Sequence, residues 1–408
     1  RTYGNLATDM PLGVLSMSAY IKKHTSVCTE LIDFNIELNK TDKFAFNSYY
    51  DYFRYYLSQH LRERTPDIIG ISSLFTPSFF SLLDLARCCR EYFPNAVIIG
   101  GGSVPSNMYA DIFTHCDAFD ALCYGEGEKP LLTLVEATDK RQALQQGSTW
   151  ITCEKLEAGA IFTHDFIENL DEIPFYDYDI CDLAQYGINP AMTAYAAVKE
   201  KSLNHFQVMT SRGCPFKCTF CASHKVHGRK MRYYSLERVR EDFLRLRDHY
   251  GADTLVFQDD HFMGEKQRAL DIVNMVRDLS MTAVFQNGLA LYALDRQMLE
   301  ALKRAGVNHL VLAVESGSER VLRHVMHKPL KLTIAQRVAN DCRELGIYAS
   351  VNILIGMPGE TKKDIEDARE FLKTINANWF IILCASPLVG SEMYVVCEDN
   401  GYLKDNYL

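Results

Sequence analysis

The chain has 408 residues, enough for two or three domains, and its 48% hydrophobic and 23% charged residues are those of an ordinary globular protein. A formal net charge of −9 argues against a nucleic-acid partner, which calls for a basic face. No apolar run reaches the ~18 residues of a membrane span, no signal peptide is visible, and thirteen cysteines without a regular framework point to a reducing, cytoplasmic setting.

The N-terminal part alternates short apolar runs with helical patterns. Strands are expected over residues 28–34, 67–74, 96–100 and 121–124. Leu82, Leu83, Ala86 and Cys89 recur at helical spacing, which predicts a helix over 79–93. Such alternation implies a parallel, doubly wound, Rossmann-like sheet. Sheets of this kind bind ligands outside the carboxyl ends of their strands, here the loops 72–77, 100–106 and 125–128. Cys28, Cys123, Cys342 and Cys384 lie in or beside apolar runs and are expected to be buried.

Residues 141–200 are poorer in pattern. The stretch Ile173-Pro174-Phe175-Tyr176-Asp177 reads as an extended linker, with proline blocking helix. A second βα series begins near residue 201. Six strands are expected over 205–210, 254–258, 283–288, 309–314, 349–355 and 379–385. Leu236, Val239, Phe243, Leu246 and Tyr250 form a helical stripe after Ser235, a candidate cap. Thr361 and Asp364 suit a capping box, with Ile365, Ala368, Phe371 and Ile375 as the inner stripe. The resulting division is 1–140, a linker over 141–200, a second domain over 201–395, and 396–408 as the start of a C-terminal extension. The chain begins at Arg1, so missing N- and C-terminal segments are both open.

Chemistry concentrates in Ser211-Arg212-Gly213-Cys214-Pro215-Phe216-Lys217-Cys218-Thr219-Phe220-Cys221. The spacing is C-x3-C-x2-C. A closed tetrahedral metal site needs four protein ligands. A cubane iron–sulfur cluster held by three thiolates keeps one iron open for a small molecule. The alternative is a zinc knuckle completed by His224 or His227.

This loop resembles that of the radical S-adenosylmethionine (SAM) enzymes. The resemblance implies a partial (β/α)6 barrel whose chemistry lies at the carboxyl ends of its strands. It implies that Cys214, Cys218 and Cys221 hold a [4Fe–4S] cluster, with Phe220 the family's aromatic residue beside SAM. Asp259 and Asp260 after the second strand resemble the acidic segment that binds the SAM amino group. Helix-capping aspartates are the alternative. Asn287 ends the third strand. Glu315-Ser316 ends the fourth and resembles a segment at the SAM ribose or amino acid portion, where a buried structural glutamate is the alternative. Met357 lies in the glycine-rich end of the fifth strand, near the adenine by resemblance, and a tight turn serves equally well. Phe216, His224, His227, Arg229 and Arg232 either line a substrate pocket or pack the cluster loop.

Upstream, Ser72-Ser73-Leu74, with Thr76, followed later by Gly100-Gly101-Gly102, resembles a cobalamin-binding domain. Gly125-Glu126-Gly127-Glu128 is similar to the segment found where such domains are fused to radical SAM barrels. Asn35 stands where a classical cobalamin domain has its cobalt-ligating histidine. A degenerate domain that binds no cobalamin is the alternative. Together these resemblances imply [4Fe–4S], SAM and cobalamin as cofactors. They imply a methyltransferase moving a methyl from methylcobalamin to an unactivated carbon after hydrogen abstraction by a 5′-deoxyadenosyl radical. A radical cyclisation or rearrangement, or a non-catalytic cobalamin and iron–sulfur sensor, remains open. A second cysteine triplet, which tRNA-methylthiolating relatives carry, is absent from the pattern. Expected partners are a small-molecule, lipid or peptide substrate and a low-potential donor such as flavodoxin or ferredoxin.

Overall fold

A computed structural model describes residues 9–40, 44–61, 63–186 and 204–404. Residues 187–200 of the expected linker and the end of the C-terminal extension lie outside them. The N-terminal sheet has the order β1 (Ile68–Ser72), β2 (Val97–Gly101), β3 (Ala121–Cys123), β4 (Trp150–Ile151). The first three strands are parallel and β4 runs antiparallel to β3. Alternation along the strands feeds two faces. Ile98 and Leu122 join Leu82, Leu83 and Ala86 of the helix Phe79–Tyr92 on one side. Val97, Ile99, Ala121 and Cys123 pack against Leu134, Leu144 and Trp150 on the other. Burial on both faces is what a doubly wound parallel sheet requires.

The strand expected over 28–34 does not form. Residues 25–33 are irregular, and a helix, Phe34–Asn39, starts where the strand was to end. The Asp33 side chain accepts from the Asn35 backbone N–H at 2.9 Å, a cap that competes with extended backbone. Phe34 then packs edge-on against Phe53 at 4.7 Å. Cys28 and Cys384 are exposed, against expectation, whereas Cys123 and Cys342 are buried. Cys384 ends an edge strand whose side chains are mostly open to solvent.

All six barrel strands form. They are β5 (His205–Val208), β8 (Thr254–Phe257), β9 (Thr282–Phe285), β10 (His309–Glu315), β11 (Tyr348–Ile355) and β12 (Trp379–Cys384). A short antiparallel hairpin, β6 (Ser211–Arg212) with β7 (Arg232–Tyr233), follows β5. The ladders β5-β8-β9 and β10-β11-β12 are parallel. Gly288 joins the two sheets sterically: a Cβ there would stand 2.8 Å from the Ala313 Cβ of β10. One core fills the barrel, including Phe206, Leu255, Phe285, Leu312 and Val351. The expected helices form over Leu236–Tyr250 and Lys362–Thr374, capped by Ser235 and by the Thr361/Asp364 capping box.

The segment before residue 187 is built into this core. Ile173 and Tyr178 are buried in it. The helix Leu12–His24 from the other domain adds Leu15 and Tyr20 to the same cluster. The two domains therefore share a packed boundary.

Candidate functional site

The cysteine loop leaves the barrel through the β6–β7 hairpin, where Arg212 pairs with Arg232. Gly213 has φ +93°, and a Cβ there would run into the Lys230 carbonyl, so glycine alone fits this exit. Across the barrel the loop is pinned by Thr219, whose N–H donates to Met326 O at 3.0 Å and whose hydroxyl donates to Val325 O at 2.9 Å. The three thiols open onto one cavity of about 170 Å³, lined also by Phe216, Phe220, His224, Asp260, Gly288 and Lys328. Burial pushes the Cys214 thiol up to about 11, and it raises Cys218 as well. None of the three is in a disulfide.

The adjacent aspartates part company. Asp259 is buried, and its carboxylate accepts from Thr210 N at 3.1 Å, Thr210 Oγ1 at 2.8 Å and Ser211 Oγ at 2.6 Å. It ties the end of β8 to the end of β5. Asp260 turns the other way, into the cysteine cavity. Asn287 spans β9 to β8, donating to Gln258 O at 3.2 Å and Asp259 O at 3.3 Å. Glu315 has φ +68°, a conformation rare outside glycine, beside a register shift in β10. Burial raises its pKa, against the pull of Lys328, whose Nζ lies 3.8 Å from Oε1. Ser316 is fully buried and accepts from Ser318 N at 3.1 Å. Met357 is buried in a small cluster against which Phe220 packs.

Residues that the sequence reading missed also line this cavity. Tyr292 and His261 are joined by a 3.1 Å hydrogen bond, and Phe216 stands edge-on to His261 at 4.9 Å. Lys328 is the third. No local motif marks them, because each arrives from a different strand-end loop.

In the N-terminal domain, Ser73 donates its N–H to Gly101 O at 3.1 Å, and its hydroxyl bonds Ser78 at 2.6 Å. Ser72 is exposed, Thr76 starts a short 3-10 turn, and Leu74 and Phe75 are 57% and 72% exposed. A Cβ on Gly100 would meet Leu122 at 2.6 Å, whereas one on Gly101 would meet nothing within 4 Å. Gly100 is thus a packing residue and Gly101 faces open space. Asn35 sits exposed on its helix, not at a strand end.

Gly125 to Glu128 turn toward the barrel. Gly125 has φ +90° and abuts His164. Gly127 abuts Met17. Glu126 is bonded by Arg232, Arg212 and His227, and Glu128 by Arg212 and Ser16. His227 is therefore turned away from the thiols. Arg229 donates to the Phe216 carbonyl.

Residues 10–135 match the B12 binding domain and residues 208–372 match the Radical SAM superfamily. The chain belongs to the radical SAM enzymes that carry a B12-binding domain. An uncharacterized methyltransferase of Pyrococcus horikoshii is 26% identical over 350 residues, 85% of this chain and 72% of that protein. The cytidylyl-2-hydroxyethylphosphonate methyltransferase of Streptomyces wedmorensis is 26% identical over 434 residues, 96% of this chain and 78% of that protein. The fold is that of the radical S-adenosylmethionine methyltransferase TsrM from Kitasatospora setae, solved with cobalamin and a [4Fe–4S] cluster bound. That match has TM-score 0.71 at 15% identity and covers 96% of this chain and 72% of that chain.

The donors of this radical SAM enzyme suit its cofactors. Cubane thiolates bind three different irons and so do not converge on one point. Among the described residues no three His, Cys, Asp or Glu side chains close on a single ion. Thiols raised by burial need a strong cationic partner to ionise, which cluster iron supplies. At the B12-binding domain, exposed Leu74 and Phe75 follow β1, whose Ser72 pairs with Gly101, so they lie at the carboxyl end of the sheet, where Gly101 faces open space.

Proposed function

We propose that this enzyme is a cobalamin-dependent radical SAM methyltransferase that methylates an unactivated carbon. The observation that carries this reading is the convergence of Cys214, Cys218 and Cys221 with Asp260 and Lys328 on one cavity, in a chain with its own B12-binding domain. The three cysteines would hold the cluster and leave one iron for SAM. Asp260 offers an acceptor for the SAM ammonium group. Glu315, steadied by Lys328, offers acceptors for hydroxyls, while Phe220 and Met357 give the adenosine an apolar seat. Ser72, Ser73, Leu74, Thr76, Gly101 and Gly102 would hold the cobalamin.

When bound, the cluster supplies the electron that cleaves SAM and the cobalamin carries the methyl. The protein's residues hold, orient and keep the site dry. A low-potential flavodoxin or ferredoxin fits as electron donor, and a small molecule, lipid or peptide as substrate.

The test is anaerobic. The reconstituted chain is given methyl-labelled SAM, hydroxocobalamin and a strong reductant. Label in the corrinoid fraction together with S-adenosylhomocysteine is expected. 5′-Deoxyadenosine with neither would overturn methyl transfer and leave a cyclisation or rearrangement.

A further inference from the structure

Four charged side chains meet in the boundary between the two domains, and all are almost fully buried. Arg212 and Arg232 are 5% and 2% exposed, and Glu126 and Glu128 are each 4% exposed. The arginines lie opposite each other on the β6–β7 hairpin, the two stems of the cysteine loop. The glutamates follow β3 in the other domain. Arg232 forks onto Glu126 through Nη1 at 2.9 Å and Nη2 at 2.5 Å. Arg212 reaches Glu126 Oε2 at 3.1 Å and Glu128 Oε1 at 2.7 Å. Ser16 and His227 complete the group at 2.6 and 2.8 Å.

Stability alone does not call for this arrangement. A buried ion pair is commonly no more stabilising than apolar groups of the same volume. What the forked Arg232–Glu126 pair and the Arg212 bridge between Glu126 and Glu128 add is direction, because a guanidinium meets a carboxylate in a fixed plane. Apolar contacts would allow the domains to slide. The segment between the domains reinforces the same plane. Phe166 stacks under the Arg232 guanidinium at 4.1 Å, and Ile167 O accepts from Arg232 at 2.9 Å. Tyr124, His164 and Phe166 form a stack with centroid spacings of 4.7 and 4.6 Å. His164 in turn bonds the Lys225 carbonyl in the cysteine loop at 2.8 Å.

We infer that Glu126 and Glu128 are positioning residues, a clasp with Arg212 and Arg232 that fixes the orientation of the cluster loop relative to the B12-binding domain. The inference rests on the two-cofactor reading above. It assigns the two glutamates to the domain boundary, with both oxygens of Glu126 occupied there. Relaxing the clasp leaves each domain's own ligand set intact and changes the geometry between them.

The test has two arms on the full chain. In the first, amide hydrogen exchange is measured without cofactors. Glu126→Gln should speed exchange across residues 211–233 and 164–168 by about 100-fold, with little change in β8 and β9. In the second, the chain carries reduced cluster and cob(II)alamin, and pulsed dipolar spectroscopy reads the distance between the two spins. A narrow distribution is expected for the native chain and a broad one for Glu126→Gln. The paired replacement Glu126→Leu with Arg232→Met should recover thermal stability while the distribution stays broad. A narrow distribution in that pair, or unchanged exchange in Glu126→Gln, overturns the clasp. Failure to bind cobalamin would instead overturn the two-cofactor reading, while the exchange arm still tests the clasp.

Discussion

Gly102 lies so close to Ser73 that a Cβ on it would stand 2.6 Å from the Ser73 carbonyl oxygen, and its backbone, at φ 96° and ψ −170°, is one that glycine alone adopts readily. The Ser72–Thr76 loop and the glycine turn are thereby locked together. Gly102→Ala should cost about 1–3 kcal/mol of stability from the backbone alone. It should also weaken hydroxocobalamin binding, with iron content unchanged. Titration of the corrinoid absorbance, beside a melting curve, checks both.

Cys218→Ala is expected to remove the cluster without unfolding the chain, since Cys218 is half-buried and the loop is held independently by Thr219. Iron analysis after anaerobic reconstitution and the loss of SAM cleavage read the outcome. Continued 5′-deoxyadenosine formation by this variant would refute the assignment of the three ligands.

The two aspartates should separate by experiment. Asp259→Asn puts an amide among the donors of Thr210 and Ser211, and should destabilise the chain by about 1–3 kcal/mol. Asp260→Asn should leave the melting temperature nearly unchanged. Its effect should appear as a weaker response of the reduced cluster's paramagnetic signal to added SAM. The opposite pattern would reverse their roles.

Acid should loosen the domain boundary late. Burial alone would raise the Glu126 carboxyl, but the Arg212 charge and the bonds from His227 and Arg232 outweigh it and hold it well below its ordinary 4.5. A depressed folded value gives stability that is present above the unfolded value and lost as pH falls through the folded one. The melting-temperature gap between native chain and Glu126→Gln should therefore shrink progressively as pH falls below about 5. A gap that widened on acidification would contradict the sign.

The βα elements were legible because their apolar residues keep period 2 or 3.6 over whole elements, as in Leu236–Tyr250. The strand over 28–34 misled because its apolar content was short and its outcome depended on a cap at Asp33 and on Phe53, which lies far along the chain. The three cysteines were legible from spacing. The roles of Asp259 and Asp260 were not, because both lie in the turn after β8 and which one faces the cavity depends on Thr210 and Ser211, which follow β5 and hold Asp259. The partners of Glu126 and Glu128 lie 106 and 84 residues away, beyond any local pattern. Charge pairing at such separation emerges only when two domains pack.

The most direct test of the account is a single binding measurement on the full chain, reconstituted anaerobically with iron, sulfide and hydroxocobalamin and then passed through gel filtration. About four irons and one cobalamin per chain are predicted to remain, with Cys218→Ala losing the iron but keeping the cobalamin. Retention of iron with no retained cobalamin would contradict the account and leave a radical SAM reaction that needs no corrinoid.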